Sequence, residues 1–375
     1  MTSSRVDKLM WALGNHSCWD GITKKTPPDL KYADIVVHMP NHLGDAVMAL
    51  PLLQILLRYS SKGISVIAKP ELSYLFEIIE GVQQVIPCDM DKRHSRRNAF
   101  AEIKTKKYDV SVLLLTGEEA AWYHMRASIP CRIGFDYWGR GWLLTQRLSL
   151  GAEPTSKAFV REHHAHNYLL LLNVFGIDPE WTEPGLSLPV DQRNEAIAEL
   201  QHKGLDPTHK IIAFAPGGHH ESKLLPKDIY SRAINQLYRE TNAIVLLLGS
   251  PSELAYVKDI LRGVDVPVIN LAGATDLPKL CAYLSLCNVM IGPDSGTGHL
   301  AAALGAPIVS IFTSGSPVWT RPLGSPNRII YNYPDCGPCF GTYHCNHGFK
   351  CRDVHANDVV AATLEVLSEQ PLSFR

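Results

Sequence analysis

Short apolar runs rich in β-branched residues, each followed by a stretch of helical spacing, recur along the 375-residue chain, and this alternation leaves few folds open. The first series is carried by residues 33–38 (ADIVVH), 64–68 and 110–115, with helices expected over 46–58, 71–80 and 118–127. Apolar runs of this length, flanked by helices, are the mark of a parallel sheet covered on both faces. The rhythm stops at Glu183-Pro184-Gly185-Leu186-Ser187-Leu188-Pro189, a stretch that reads as a linker. It then restarts with 210–215 (KIIAFA), 243–248, 268–271, 289–292 and 307–312. The chain is therefore expected to be α/β, with two Rossmann-like domains and a cleft between them. The expected divisions are an N-terminal helical extension (1–30), domains at 31–185 and 190–355, and a last helix within 356–375.

Composition removes other classes. With 46% hydrophobic and 19% charged residues the chain is neither disordered nor a small disulfide scaffold. Its formal charge of -1 provides no global positive field for nucleic acid. No run reaches the roughly 18 uncharged apolar residues of a membrane span. The opening MTSSRVDKLMWALGNHSCWDG lacks the apolar core and small-residue cleavage site of a secretory signal, so a cytoplasmic location and reduced cysteines are expected.

In open parallel sheets ligands bind beyond the carboxyl ends of the strands, where loops feed helix N-termini that attract anions. Three such loops stand out. After 33–38 comes Pro40-Asn41-His42-Leu43-Gly44-Asp45, in which Asp45 suits either a helix N-cap or a general base toward an incoming hydroxyl. After KIIAFA comes Ala215-Pro216-Gly217-Gly218, with Lys223 a few residues on. Its glycines admit a phosphate to the backbone and its lysine supplies a point charge, although an ordinary loop reads the same way. After 289–292 comes Pro293-Asp294-Ser295-Gly296-Thr297-Gly298-His299, where a helix of small residues starts. Its free N–H groups, the Ser295 and Thr297 hydroxyls and His299 compose a diphosphate cradle, against the simpler reading of capping and a packed histidine.

Four of the nine cysteines cluster as Cys336-Gly-Pro-Cys339, Cys345 and Cys351. They suit a structural zinc or iron site, although no second C-x-x-C completes the usual spacing; free thiols or a redox pair are the alternative. Cys18, Cys88, Cys131, Cys281 and Cys287 read as buried small apolar residues. The run 92–97 (KRHSRR), with Lys104, Lys106 and Lys107, and Arg126, Arg132 and Arg140 in loops after later strands, supplies a basic patch. Trp122, Trp138 and Trp142 suit stacking on sugar rings or core packing, the latter expected for at least two.

Together the segments MPNHLGDAVMALP, APGG with SK shortly after, GPDSGTGHLAAALGAPIVSIF and IGFDYWGRGWLLT resemble the bacterial heptosyltransferases of the lipopolysaccharide inner core, glycosyltransferase family 9, most of all the members that add the second heptose. The resemblance spans about residues 34–367. It implies a two-domain GT-B architecture, with the N-terminal domain taking the acceptor and the C-terminal domain the donor. Heptose would pass from ADP-heptose with inversion, needing no catalytic cofactor. It also implies Asp45 as general base, and Gly217, Gly218 and Lys223 near the donor phosphates with Glu253 near the ribose. Asp294, Ser295, Gly296, Thr297 and His299 would sit around the diphosphate and sugar, and Arg126, Arg132 and Arg140 would face an anionic acceptor at the inner membrane surface.

Two departures stand out: Lys223-Leu224-Leu225-Pro226 replaces the usual Lys-Arg-Trp-Pro, and Thr313-Ser314 stand where glycine is common. Three readings compete with the favoured one: a transferase or epimerase for another nucleotide sugar, a heptosyltransferase with a protein acceptor, and a non-catalytic nucleotide-binding module.

Overall fold

A computed structural model describes residues 27–137, 139–149, 163–178, 181–203, 205–206, 209–218, 220–324, 326–340 and 345–369. Trp138, Cys18 and nearly all of the expected N-terminal extension lie outside them. The chain divides into two compact units, one ending at Pro184 and the other beginning at Gly185.

The first unit is built on six parallel strands: β1 (Ile35–His38), β2 (Ile64–Ala68), β3 (Val82–Pro87), β4 (Val110–Leu113), β5 (Cys131–Phe135) and β6 (Gln146–Leu148). Their order is β3-β2-β1-β4-β5-β6. The central strand β1 pairs Ile35 with Ile64 on one side and Val110 on the other, and β1, β2 and β4 are buried along their whole length.

The second unit repeats the plan with β7 (Ile211–Phe214), β8 (Ile244–Leu247), β9 (Ile269–Asn270), β10 (Val289–Pro293), β11 (Ile308–Phe312) and β12 (Asn327–Tyr331), in the order β12-β11-β10-β7-β8-β9. Numbered within each unit, both sheets follow 3-2-1-4-5-6, the doubly wound order whose direction reverses between the first and fourth strands. The reversals fall between β1 and β4 and between β7 and β10, just before the three loops singled out above. The helix Ala356–Ser368 contributes Val359, Val360, Val366 and Leu367 to the core built by Phe214, Tyr230, Leu237 and Val309, so it is integral to this unit.

Local chemistry explains one difference from expectation. Instead of one helix over 46–58 there are two, Leu43–Met48 and Leu50–Tyr59, because Pro51 has no N–H to continue the first and is well placed to open the second. The basic run at 92–97 lies on a helix, Arg93–Lys106, that buries Ala99, Phe100 and Ile103 and ends at Lys107 in the left-handed region (φ 56°).

Candidate active site

In the second unit the loops after β7, β8, β10 and β11 bring the expected donor-side residues together. The Lys223 ammonium donates to the Asp294 carboxylate at 2.7 Å and to the Asp294 carbonyl at 3.1 Å. Asp294 is buried (7% exposed) and Lys223 is part-buried, so the pair is shielded from solvent. Two of the three ammonium donors are thus engaged, leaving one for an incoming oxygen anion. The helix Gly296–Ala303 starts immediately after Asp294 with Ser295 as its N-cap. The Ser295 hydroxyl caps nothing: its oxygen is buried and has no hydrogen-bond partner among the described residues. His299 is buried in the same helix.

Glu253 closes a capping box, its Oε2 accepting from the Ser250 N–H at 2.6 Å and the Ser250 hydroxyl at 2.9 Å. Its other oxygen reaches the loop after β7, where a Cβ added to Gly217 would stand 2.0 Å from Oε1. Glycine at 217 is thus what lets the carboxylate lie against that loop. Capping and ligand binding are compatible here, because each uses a different oxygen.

In the first unit Asp45 is not an N-cap. The helix Leu43–Met48 starts at Leu43, with His42 at the capping position, which places Asp45 in the first turn, where a carboxylate complements the helix dipole. His164 and Tyr168 lie within electrostatic range of Asp45 and are joined to each other, His164 Nε2 to the Tyr168 hydroxyl, at 3.0 Å. Burial lowers the His164 pKa while the Asp45 charge opposes the shift. Burial first and the Asp45 charge second raise that of Tyr168. This pair was not anticipated; the one sequence signal for it was the histidine run 163–166, next to no strand end.

The model of "Glycosyltransferase family 9 (heptosyltransferase)" matches residues 96–349. The chain belongs to this family. It is 28% identical to lipopolysaccharide heptosyltransferase 2 of Escherichia coli K12 over 79% of this chain and 87% of that protein. It is 32% identical to lipopolysaccharide heptosyltransferase 3 of the same organism over 55% of this chain, which spans 60% of that relative's length. The solved structure of E. coli ADP-heptose lps heptosyltransferase II superposes with a TM-score of 0.74 at 24% identity, covering 90% of this chain and 99% of that one. The two parallel sheets are those of the GT-B architecture, and the chain is a glycosyltransferase.

In this family 9 glycosyltransferase two of the three arginines expected to face the acceptor do something else. Arg132 donates to the carbonyls of Leu143 (2.8 Å) and Ile129 (2.6 Å). Arg140 is fully buried and donates to the carbonyls of Phe135 (2.8 Å) and Gly117 (3.0 Å), while burial pushes its pKa down to about 10. Arg132, within β5 rather than in a loop, ties together the segments that lead into β5 and β6, and Arg140 ties the end of β5 to the loop after β4, since buried carbonyls need donors and guanidinium offers several in a fixed fork. Arg126 remains at the surface, stacked over Trp122 at 5.2 Å from the ring centroid. Trp122 and Trp142 are exposed, at 39% and 63%, against the expectation that at least two tryptophans pack in the core.

Cys336, Cys339, Cys345 and Cys351 do line one small cavity, together with Ser222 and Ser314. Even so, no three histidine, cysteine or carboxylate groups among the described residues are gathered closely enough to hold a metal ion. Cys351 is buried, and burial first and the neighbouring Cys339, Cys345 and Cys336 after it raise its thiol pKa, while the Cys345 sulfur accepts the Phe349 N–H at 3.3 Å. The described residues thus do not form the expected zinc or iron site. Cys88, Cys131, Cys281 and Cys287 are buried, as small apolar residues would be, and burial raises all four thiol pKa values.

Proposed function

We propose that this glycosyltransferase moves a heptosyl group from ADP-heptose to the anionic inner core of lipopolysaccharide, inverting the anomeric carbon, with Asp45 as general base. The observation that carries the donor side is the Lys223–Asp294 pair beside the unpartnered Ser295 hydroxyl at the opening of the Gly296–Ala303 helix. A cation with one donor to spare, a hydroxyl and a helix N-terminus are what a diphosphate requires.

In the proposed step the acceptor oxygen attacks C1 while its proton passes to the Asp45 carboxylate. The C1–O bond to the β-phosphate breaks, and its electron pair leaves with ADP. The transition state resembles an oxocarbenium ion, and charge grows on the departing phosphate oxygens. Lys223, the helix N–H groups, Ser295, Thr297 and His299 face that charge. A single base on the opposite side of the ring is enough for one inverting displacement. Glu253, through its Oε1 beside Gly217, is assigned to the ribose hydroxyls.

The acceptor is lipid-anchored and anionic in this reading, so the enzyme works at the inner membrane surface without spanning it. No helix among the described residues is long and apolar enough to cross a membrane. Calorimetry with ADP and UDP tests the donor assignment: ADP binds and UDP does not, and preference for UDP overturns it. Transfer from ADP-heptose to a core acceptor bearing one heptose tests the acceptor, and transfer only to a protein acceptor replaces it.

A further inference from the structure

Thr313-Ser314-Gly315, the tripeptide that follows β11, touches Asp294 and Ser222, the residue that precedes Lys223. Thr313 and Ser314 are each 2% exposed, and both bond to Ser222, the neighbour of Lys223, itself 5% exposed. The Thr313 hydroxyl donates to the Ser222 carbonyl at 2.7 Å, and the Ser314 hydroxyl donates to the Ser222 hydroxyl at 3.0 Å. One residue further on, a Cβ added to Gly315 would stand 2.8 Å from Oδ2 of Asp294, the oxygen that holds the Lys223 ammonium. The tripeptide is clamped from its other side, where the N–H groups of Cys339 and Phe340 donate to the Ser314 carbonyl at 3.1 and 2.9 Å. The short turn Glu221–Lys223 has no side-chain cap of its own, so its position is set by these contacts and by the Arg352 guanidinium on the Glu221 carbonyl.

We infer that Thr313 and Ser314 are positioning residues for the donor diphosphate: they fix the Lys223 turn against β11 while Gly315 leaves room for the carboxylate that aims the ammonium. This rests on the donor reading given above. The cysteine-bearing loop then acts as the outer wall of the clamp.

The test uses the full chain and the variants T313V, T313S, S314A and G315A, with ADP titrations by calorimetry and initial rates over a range of ADP-heptose concentrations. A lost buried hydroxyl contact corresponds to about a tenfold change in an equilibrium constant. T313V and S314A are therefore expected to raise the Kd for ADP and the KM for ADP-heptose about tenfold, with kcat within a few-fold of wild type. T313S, which keeps the hydroxyl, restores wild-type values. G315A shifts the same two constants by displacing Asp294, and so probes the idea even if T313V does not fold. Wild-type ADP affinity in folded T313V, S314A and G315A overturns the inference, as does a loss confined to kcat that T313S fails to restore. If the wild-type chain itself does not bind ADP, the donor reading fails and this inference falls with it.

Discussion

Single atoms decide whether the donor loops work. Gly217 is the sharpest case, since any side chain there meets the Glu253 carboxylate at about its own position. G217A is expected to raise the KM for the donor at least several-fold and to lower the melting temperature by a few degrees, read by initial rates and thermal unfolding. Unchanged donor KM would place Glu253 outside the site. A second residue-scale consequence concerns His38, at the end of β1, and His124, joined at 3.1 Å and both fully buried. Burial, then the Arg140 charge, lowers His38 from 6.5 to about 3; burial, then the neighbouring His38, Arg132 and Arg140, lowers His124 well below 6.5. Both are neutral in the folded chain, so there is no difference between folded and unfolded states above about pH 6.5. As the pH falls below that value the unfolded chain takes up protons that the folded chain refuses. Stability drops by up to about 1.4 kcal/mol per pH unit for each histidine, until the folded state protonates. Denaturant unfolding between pH 7 and 4 should show a shallower pH dependence in H38Q than in wild type; identical slopes would contradict the shift.

Elements were legible where periodicity was strong. The fully buried strands β1, β2, β4, β7, β8, β10 and β11 announce themselves as apolar runs, because a strand covered on both faces keeps at most one polar residue to blur the pattern. The strands that were missed all break that rule. β3 (VQQVIP) and β12 (NRIIY) are edge strands with polar residues toward solvent, β5 (CRIGF) carries Arg132 and a glycine, and β6 is three residues long. The helix Arg93–Lys106 was hidden by its charge, and placing it gives the basic run a surface. At helical spacing Arg93, Arg97 and Lys104 share one flank, and the same helix is joined to the helix Glu118–Arg126 by Arg96, paired with Glu119 at 3.1 Å, and by Phe100, stacked on Tyr123 at 4.6 Å. With exposed Trp122 and Arg126 on that neighbouring helix, the two helices combine cations with an aromatic of the kind found at membrane interfaces. R93E/R97E/K104E is expected to weaken binding to vesicles containing phosphatidylglycerol several-fold, leaving ADP affinity and binding to pure phosphatidylcholine unchanged. Equal binding to both vesicle types by the wild-type chain would contradict an anionic surface as the partner.

At the scale of the whole molecule, one strand order used twice explains why residues far apart in sequence fall at equivalent places in the two sheets. Asp45 follows β1, Gly217 follows β7 and Asp294 follows β10, each at the carboxyl end of a strand flanking a reversal of the sheet. The position of these loops could be read from sequence because it depends on backbone order. What could not be read was which side chains the loops tie to one another: the clamp on Ser222, the carbonyls held by Arg132 and Arg140, and the His164–Tyr168 pair beside Asp45 all arise from contacts between segments distant in the chain. The central claim is that Asp45 takes the acceptor proton while the β7 and β10 loops hold the donor. Measuring both functions on D45A tests it most directly: ADP affinity within about twofold of wild type by calorimetry, and transfer from ADP-heptose reduced by at least about a hundredfold, the lower range for removal of a general base. Transfer at the wild-type rate in D45A would contradict the account.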